Sequence, residues 1–216
     1  EIDLRLVEIL RKELAQFDCV EIFPGDILKF DFTYISKQYK AKLKVVGNVP
    51  YHISSPVVFH LLAHRSAIRD FTLMLQKEVV ERLVSPPGCK SYGVPSVLLQ
   101  MYADLKKLFD VSPGCFYPPP KVSSSVLRGE FLDAPRFALE DEMLFNRLVR
   151  ASFVQRRKML ANNLKQAAFL KELGEENIKF ALDQARIDGK RRGETLSVEE
   201  FGALSNLLKN QLTNRG

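Results

Sequence analysis

Cysteine is scarce and scattered. The 216 residues hold three, Cys19, Cys89 and Cys115, an odd number with no CxxC pair. Neither a disulfide framework nor a zinc knuckle is supported, and a reducing, intracellular setting is the default expectation. Long apolar runs are also missing. The longest stretch free of Asp, Glu, Lys and Arg runs from Val45 to His64 and is interrupted by Asn48, Pro50, His52, Ser54, Ser55 and Pro56, a composition ill-suited to a bilayer span. No signal peptide, internal repeat or low-complexity tract is visible. The expectation is a folded, soluble protein without a membrane segment.

What is present fits an ordinary globular chain. Apolar residues make up 46% and charged residues 27%, and the length suffices for one large domain or two small ones. The net charge is +6 and the isoelectric point about 9.2, a balance that favours a polyanionic partner. The charge is concentrated. Between Arg147 and Arg192 stand twelve bases against five acids, a net +7 for that segment alone. Such a segment is either a solvated helical face or a nucleic-acid footprint.

Periodicity divides the chain into two parts. Leu4, Val7, Leu10 and Leu14 recur at helical spacing, Cys19–Phe23 reads as a strand ended by Pro24-Gly25-Asp26, and Leu43–Gly47 as a second strand running into Asn48. A helix is predicted from about Ser55 to His64, capped by Ser54 or Ser55 with Pro56 in its first turn. A strand over Arg69–Gln76 follows, then a helix over Lys77–Leu83, a loop over Ser85–Gly93, a short helix from Pro95, and strand-like segments over Ala103–Phe109 and Ser123–Phe131. After Pro135 the pattern is helical only: Glu140–Phe153, Lys158–Ala168, Glu175–Gln184 and Val198–Gln211. Alternation in the first part implies a parallel, doubly wound sheet with an antiparallel edge, whose ligand sits at the carboxyl ends of the strands.

Asn48-Val49-Pro50-Tyr51 stands at such a strand end. An exocyclic adenine amine is a poor nucleophile because its lone pair is delocalised into the ring. A methylating enzyme must accept its N–H hydrogens and favour pyramidal nitrogen. The Asn48 side-chain oxygen and the Val49 carbonyl could accept them, Pro50 would fix the turn that aims them, and Tyr51 offers a ring for base stacking. The other reading is an Asx turn beside a buried tyrosine. His52, His60 and His64 are the only histidines, and His60 with His64 has the i, i+4 spacing of a helical metal pair. No HExxH glutamate or nearby cysteine accompanies them, so no metal is assigned.

The wider blocks resemble a known family. Asn48–Leu62 is similar to the adenine-N6 methyltransferases that act on ribosomal RNA, the KsgA/Erm superfamily. Phe116-Tyr-Pro-Pro-Pro-Lys-Val-Ser-Ser124 resembles their Phe-x-Pro-x-Pro-Lys-Val-x-Ser loop, and Phe153–Asn162 and Lys190–Phe201 resemble their helical domain. The resemblance covers essentially the whole chain. The helical blocks favour the KsgA type over the Erm type, and Val49 in place of a second proline argues against DNA adenine methyltransferases.

The resemblance implies a fold, a cofactor and a set of roles. The fold is α/β: a doubly wound, Rossmann-like class I methyltransferase sheet over residues 1–135, with its first βα unit missing from this chain, and a small all-α rRNA-binding domain over 136–216. The cofactor is S-adenosylmethionine. Asn48, Val49, Tyr51 and Phe116 take the catalytic roles, with Phe116 closing the base pocket opposite Tyr51. Glu1 holds the ribose, Ile2 packs on the adenine, and Asp26 accepts from the adenine amine beside Ile27, while Asn48 also borders the cofactor. The sequence departs from the family in one respect: no glycine-rich turn precedes Glu1, which implies that about 30 residues or more of a βαβ unit are missing. Arg156, Arg157 and Lys158, read as opening a helix, are expected on RNA phosphates, and Arg191 and Arg192 as supports of the last helices. The implied reaction is N6-dimethylation of two adjacent adenosines of small-subunit (16S) rRNA in an assembling ribosomal subunit, by a cytoplasmic monomer. The same family leaves two alternatives open: a non-catalytic ribosome-assembly or mitochondrial transcription factor, and an Erm-type 23S rRNA methyltransferase.

Overall fold

The computed structural model describes residues 1–213. In chain order the regular elements are α1 (Leu4–Glu13), α2 (Phe32–Tyr39), β1 (Leu43–Asn48), α3 (Ser54–Ala63), β2 (Ile68–Gln76), α4 (Lys77–Val84), α5 (Val94–Gln100), β3 (Ala103–Val111), β4 (Ser124–Phe131), α6 (Glu142–Ser152), α7 (Leu160–Gln166), α8 (Gly174–Gln184) and α9 (Val198–Thr213). The four strands form one sheet in the order β1-β2-β4-β3. β1 and β2 are parallel and joined through α3, whereas β4 lies antiparallel to both β2 and β3. The antiparallel share is therefore larger than a single edge strand.

Two apolar clusters hold the chain. β2 buries Ile68, Phe71, Leu73 and Leu75 almost completely and packs them with Val57 and Leu61 of α3, Val80 of α4 and Leu127 of β4. Each such side chain contributes about 1.5–3 kcal/mol of burial. Gly129 pairs with Phe71 across the sheet. The Phe71 ring lies over it so closely that a β-carbon at Gly129 would overlap the ring. The second cluster joins Phe145 and Leu148 of α6, Leu160 and Leu164 of α7, Leu182 of α8 and Phe201 and Leu204 of α9. It also draws in Tyr92, Val97, Leu98 and Met101, while Leu99 turns to the sheet cluster. α5 thus keys the sheet to the helices.

Two local expectations are corrected, and one helix is added that the sequence reading lacked. Residues 19–23 form no strand, because the segment has no extended partner among the described residues. Only its end is tied down, by bonds from the Glu1 amino group to the Phe23 carbonyl (3.2 Å) and from Gly25 N–H to the Glu1 carbonyl (2.8 Å). α2 escaped the periodicity reading although Asp31 caps it, accepting from Tyr34 N–H at 2.9 Å. Neither serine caps α3: it starts from Ile53 without a side-chain cap, and Ser54 is buried with its hydroxyl directed at the Pro50 carbonyl.

Candidate active site and cofactor cavity

Strand pairing gathers the site at one edge of the sheet. Asn48 pairs with Met74, and Ser124 is flanked by Gln76 of β2 and Val111 of β3. The carboxyl ends of β1, β2 and β3 therefore meet the amino end of β4. The chain leaves β1 through Val49, which is buried and donates its N–H to the Met74 carbonyl at 3.1 Å. That anchor leaves Asn48 exposed, with a side-chain amide that has no hydrogen-bond partner among the described residues. Pro50, at φ −54°, turns the chain into a 3-10 turn over Tyr51–Ile53, and the half-buried Tyr51 exchanges a 2.8 Å hydrogen bond with the Ser124 hydroxyl.

A cavity of about 570 Å³ opens beside Asn48. Its walls include Glu1, Ile2, Asp26, Ile27, Asn48 and Val49, so every residue expected to hold a cofactor lines one space. The Glu1 carboxylate accepts from Ile2 N–H (2.8 Å) and Asp3 N–H (3.0 Å) through one oxygen. The Asp3 amide leads in holding that carboxyl below its ordinary pKa. Asp26 accepts from Leu28 N–H at 2.9 Å, also through one oxygen, and so caps the 3-10 turn over Ile27–Lys29. Each carboxylate keeps a second oxygen for an O–H or N–H donor. Ile2 and Ile27, 68% and 39% exposed, supply apolar surface between them. Two acceptors flanked by isoleucines fit an adenosine: hydroxyls at one end, an amine at the other and a flat ring between. Among the described residues no lysine or arginine lines the cavity, which suits the positive sulfonium of S-adenosylmethionine. A neighbouring cavity of about 600 Å³ shares Glu1, Asp26 and Ile27 without reaching Asn48.

Phe116 lies at the same sheet edge but outside the cavity wall. It follows a 3-10 turn over Pro113–Cys115 in the loop that joins β3 to β4, and it is half-buried. Ser124 is a site residue that the sequence reading missed. It is 1% exposed, and its signal was the run Ser123-Ser124-Ser125 at the start of β4.

The basic triplet separates into two kinds of residue. Residues 156–158 lie in the turn between α6 and α7 rather than at a helix start, because α7 begins at Leu160. Arg156 is committed to protein acceptors: the Lys90 and Tyr92 carbonyls, each at 2.8 Å, and the Glu194 carboxylate at 2.9 Å. Gly88 N–H also donates to the Glu194 carbonyl at 2.7 Å, so Arg156 and Glu194 together pin the 85–93 loop to the helices. Arg157 and Lys158 are exposed and have no side-chain partner among the described residues. Arg191 bonds the Glu200 carboxylate and Thr195, and Ser197 with Glu200 forms a reciprocal capping box at the start of α9.

His60 and His64 are engaged in packing, whereas His52 is exposed and borders the cavity beside Asn48. His60 Nε2 lies 2.9 Å from the Phe30 carbonyl, His64 Nδ1 lies 3.0 Å from the His60 carbonyl, and both rings contact Phe32. Among the described residues no group of three or more His, Cys, Asp or Glu is placed to hold a metal ion, and no helix is long and apolar enough to cross a membrane.

Known proteins resemble this chain in sequence and in fold. The family model for ribosomal RNA adenine dimethylase matches residues 1–204. The chain is 44% identical over 209 residues to ribosomal RNA small subunit methyltransferase A of Syntrophus aciditrophicus, covering 96% of this chain and 74% of that protein. To the protein of the same name from Clostridium botulinum strain Loch Maree it is 41% identical over 208 residues, with the same coverage of each. A solved dimethyladenosine transferase from Plasmodium falciparum superposes with a TM-score of 0.78 at 24% identity, over 98% of this chain and 81% of that one, and shares the fold. By sequence over nearly its whole length, and by the fold that carries the site, the chain belongs to the ribosomal RNA adenine dimethylase family.

Proposed function

We propose that this chain is a small-subunit rRNA adenine dimethyltransferase that takes methyl groups from S-adenosylmethionine and places them on N6 of two adjacent adenosines. The observation that carries the reading is the single cavity in which Glu1, Ile2, Asp26 and Ile27 meet Asn48 at the end of β1. S-adenosylmethionine supplies an electrophilic methyl group when bound. Glu1 holds the ribose hydroxyls and Asp26 the adenine amine, with Ile2 and Ile27 packed on the ring and Asn48 bordering the cofactor. The unpartnered Asn48 oxygen and the Val49 carbonyl accept hydrogens from the target amine. That directs its lone pair at the methyl group, so the chain's contribution is orientation and hydrogen-bond polarisation. Tyr51, held by Ser124, stacks on the target base, and Phe116 closes its other face.

The division of labour follows the chain: residues 1–135 carry methyl transfer and residues 136–216 bind rRNA, with Arg157 and Lys158 on phosphates. Arg156, given its three protein acceptors, holds the two parts in register. The substrate is an assembling small ribosomal subunit, met by a monomer in the cytoplasm. The test is transfer of isotopically labelled methyl groups to undermethylated small subunits, followed by nucleoside mass spectrometry. Labelled N6-dimethyladenosine in small-subunit rRNA is the expected product. Label found only in large-subunit rRNA, or none where a control enzyme labels the same particles, would overturn the assignment.

A further inference from the structure

We propose that Tyr117 is a stacking platform for an unpaired base adjoining the target adenosines, an inference that rests on the reading of the chain as an rRNA methyltransferase. Tyr117 is 101% exposed. The other strongly exposed tyrosines, Tyr34 and Tyr39, are 57% and 56% exposed, and each uses its hydroxyl within the protein: Tyr34 accepts from Gln38 at 2.6 Å and Tyr39 donates to Glu21 at 2.7 Å. Tyr117 has neither a hydrogen bond nor a ring contact among the described residues. A ring held wholly in water forgoes the burial that aromatic side chains normally obtain, and a docked base would restore it.

The loop is built to present that ring. Ser112–Ser123 contains four prolines, Pro113, Pro118, Pro119 and Pro120, whose fixed φ angles limit the backbone. Cys115 N–H and Phe116 N–H bond back to the Ser112 and Pro113 carbonyls at 3.1 and 3.2 Å. Pairing of Val111 with Ser124 clamps both ends of the loop. A tyrosine on a restrained loop loses little freedom on binding, having only two side-chain torsions to fix.

Position and charge select the occupant. Tyr117 directly follows Phe116 and shares a sheet edge with Asn48 and Tyr51. Lys121, four residues on, is exposed and free of ion pairs among the described residues. A lone ring with a free cation four residues along the same loop matches one base and a nearby phosphate, since stacking accepts any base while the cation follows the backbone. Apart from its prolines, the loop exposes one other large hydrophobic side chain, Val122, at 45%.

The chain contains no tryptophan, so Tyr117→Trp creates a single fluorescent reporter at the proposed contact. The probe is an RNA hairpin with two adjacent adenosines in its loop. Its binding is expected to quench the reporter, and an abasic nucleotide on one side of the adenosine pair is expected to abolish the quenching. In methylation of the same hairpin, Tyr117→Ala should raise KM for RNA about 5- to 150-fold, the loss of one stacked base, with kcat and melting temperature unchanged. Tyr117→Phe should behave as wild type. Quenching that survives abasic substitution on either side, or an unchanged KM for Tyr117→Ala while wild type methylates normally, overturns the inference and leaves the enzyme reading intact. Failure of the wild-type protein to bind or methylate any adenosine-containing rRNA overturns both.

Discussion

Replacing Arg156 tests whether the basic triplet divides into one structural arginine and two residues that meet RNA. Replacing it by alanine removes two charge-assisted bonds to backbone carbonyls and one ion pair with Glu194. The arginine side chain is 42% exposed and that of Glu194 22%, so water replaces part of what is lost. Each carbonyl bond is then worth about 1 kcal/mol, and the screened ion pair about 1 kcal/mol or less. The expected destabilisation is about 2–3 kcal/mol, which for a chain of this length lowers Tm by about 4–12 °C. The companion measurement is the slope of log affinity for small-subunit rRNA against log salt. Arg156→Ala should leave it unchanged in protein that remains folded. Arg157→Ala and Lys158→Ala should each flatten it by about 0.7–0.9, one phosphate apiece, at unchanged Tm. A flattened slope with an undisturbed Tm for Arg156→Ala would refute the reasoning and return that guanidinium to the RNA.

Asn48→Ala should leave cofactor and RNA affinity nearly intact and lower turnover about 100-fold or more, the scale of losing a preorganised acceptor at the reacting centre; single-turnover methylation with saturating cofactor measures it. Gly129→Ala forces a methyl group against the Phe71 ring and should cost about 1–3 kcal/mol by denaturant unfolding, with no change in catalytic rate in the protein that stays folded. Asp110 is held well below the ordinary carboxylate pKa, first by Lys107 at 2.7 Å, then by the Ser125 hydroxyl at 2.6 Å and Lys77 at 2.9 Å. A depressed folded-state pKa contributes stability that is present above the unfolded value, about 3.9, and is lost as pH falls below it. Melting curves of Asp110→Asn from pH 7 to pH 2 should therefore show a shallower acid limb than wild type, and parallel limbs would contradict the assignment.

Local chemistry made part of this protein legible in its sequence. A strand ending in Gly47-Asn48, followed by Val-Pro-Tyr, places an acceptor and a ring at a sheet edge with neighbours alone to fix them, and the structure has them there. The all-helical second part follows from apolar spacing in the same way. Arg156 was not legible, because nothing near it distinguishes it from Arg157. Its acceptors lie 38 to 66 residues away, and only the packed fold brings them together. Residues 19–23 have strand composition, yet a strand is defined by its partner, and two backbone bonds to Glu1 make no ladder. Ser124 was hidden for a similar reason: its hydroxyl meets Tyr51 only after β4 has inserted between β2 and β3.

That insertion bears on how the enzyme could be re-engineered. The 112–123 loop is the connection of an antiparallel hairpin whose stem is sealed by the pairing of Val111 with Ser124, whereas the cavity beside Asn48 is lined by residues between Glu1 and Leu28, by β1 and the turn after it, and by Val57, Leu61 and Leu73. With Phe116 kept to close the base pocket, the other eleven positions between those stem residues can be varied while the residues that line the cavity stay untouched. A library confined to them changes the surface beside the target base and leaves the methyl-donor site as it is.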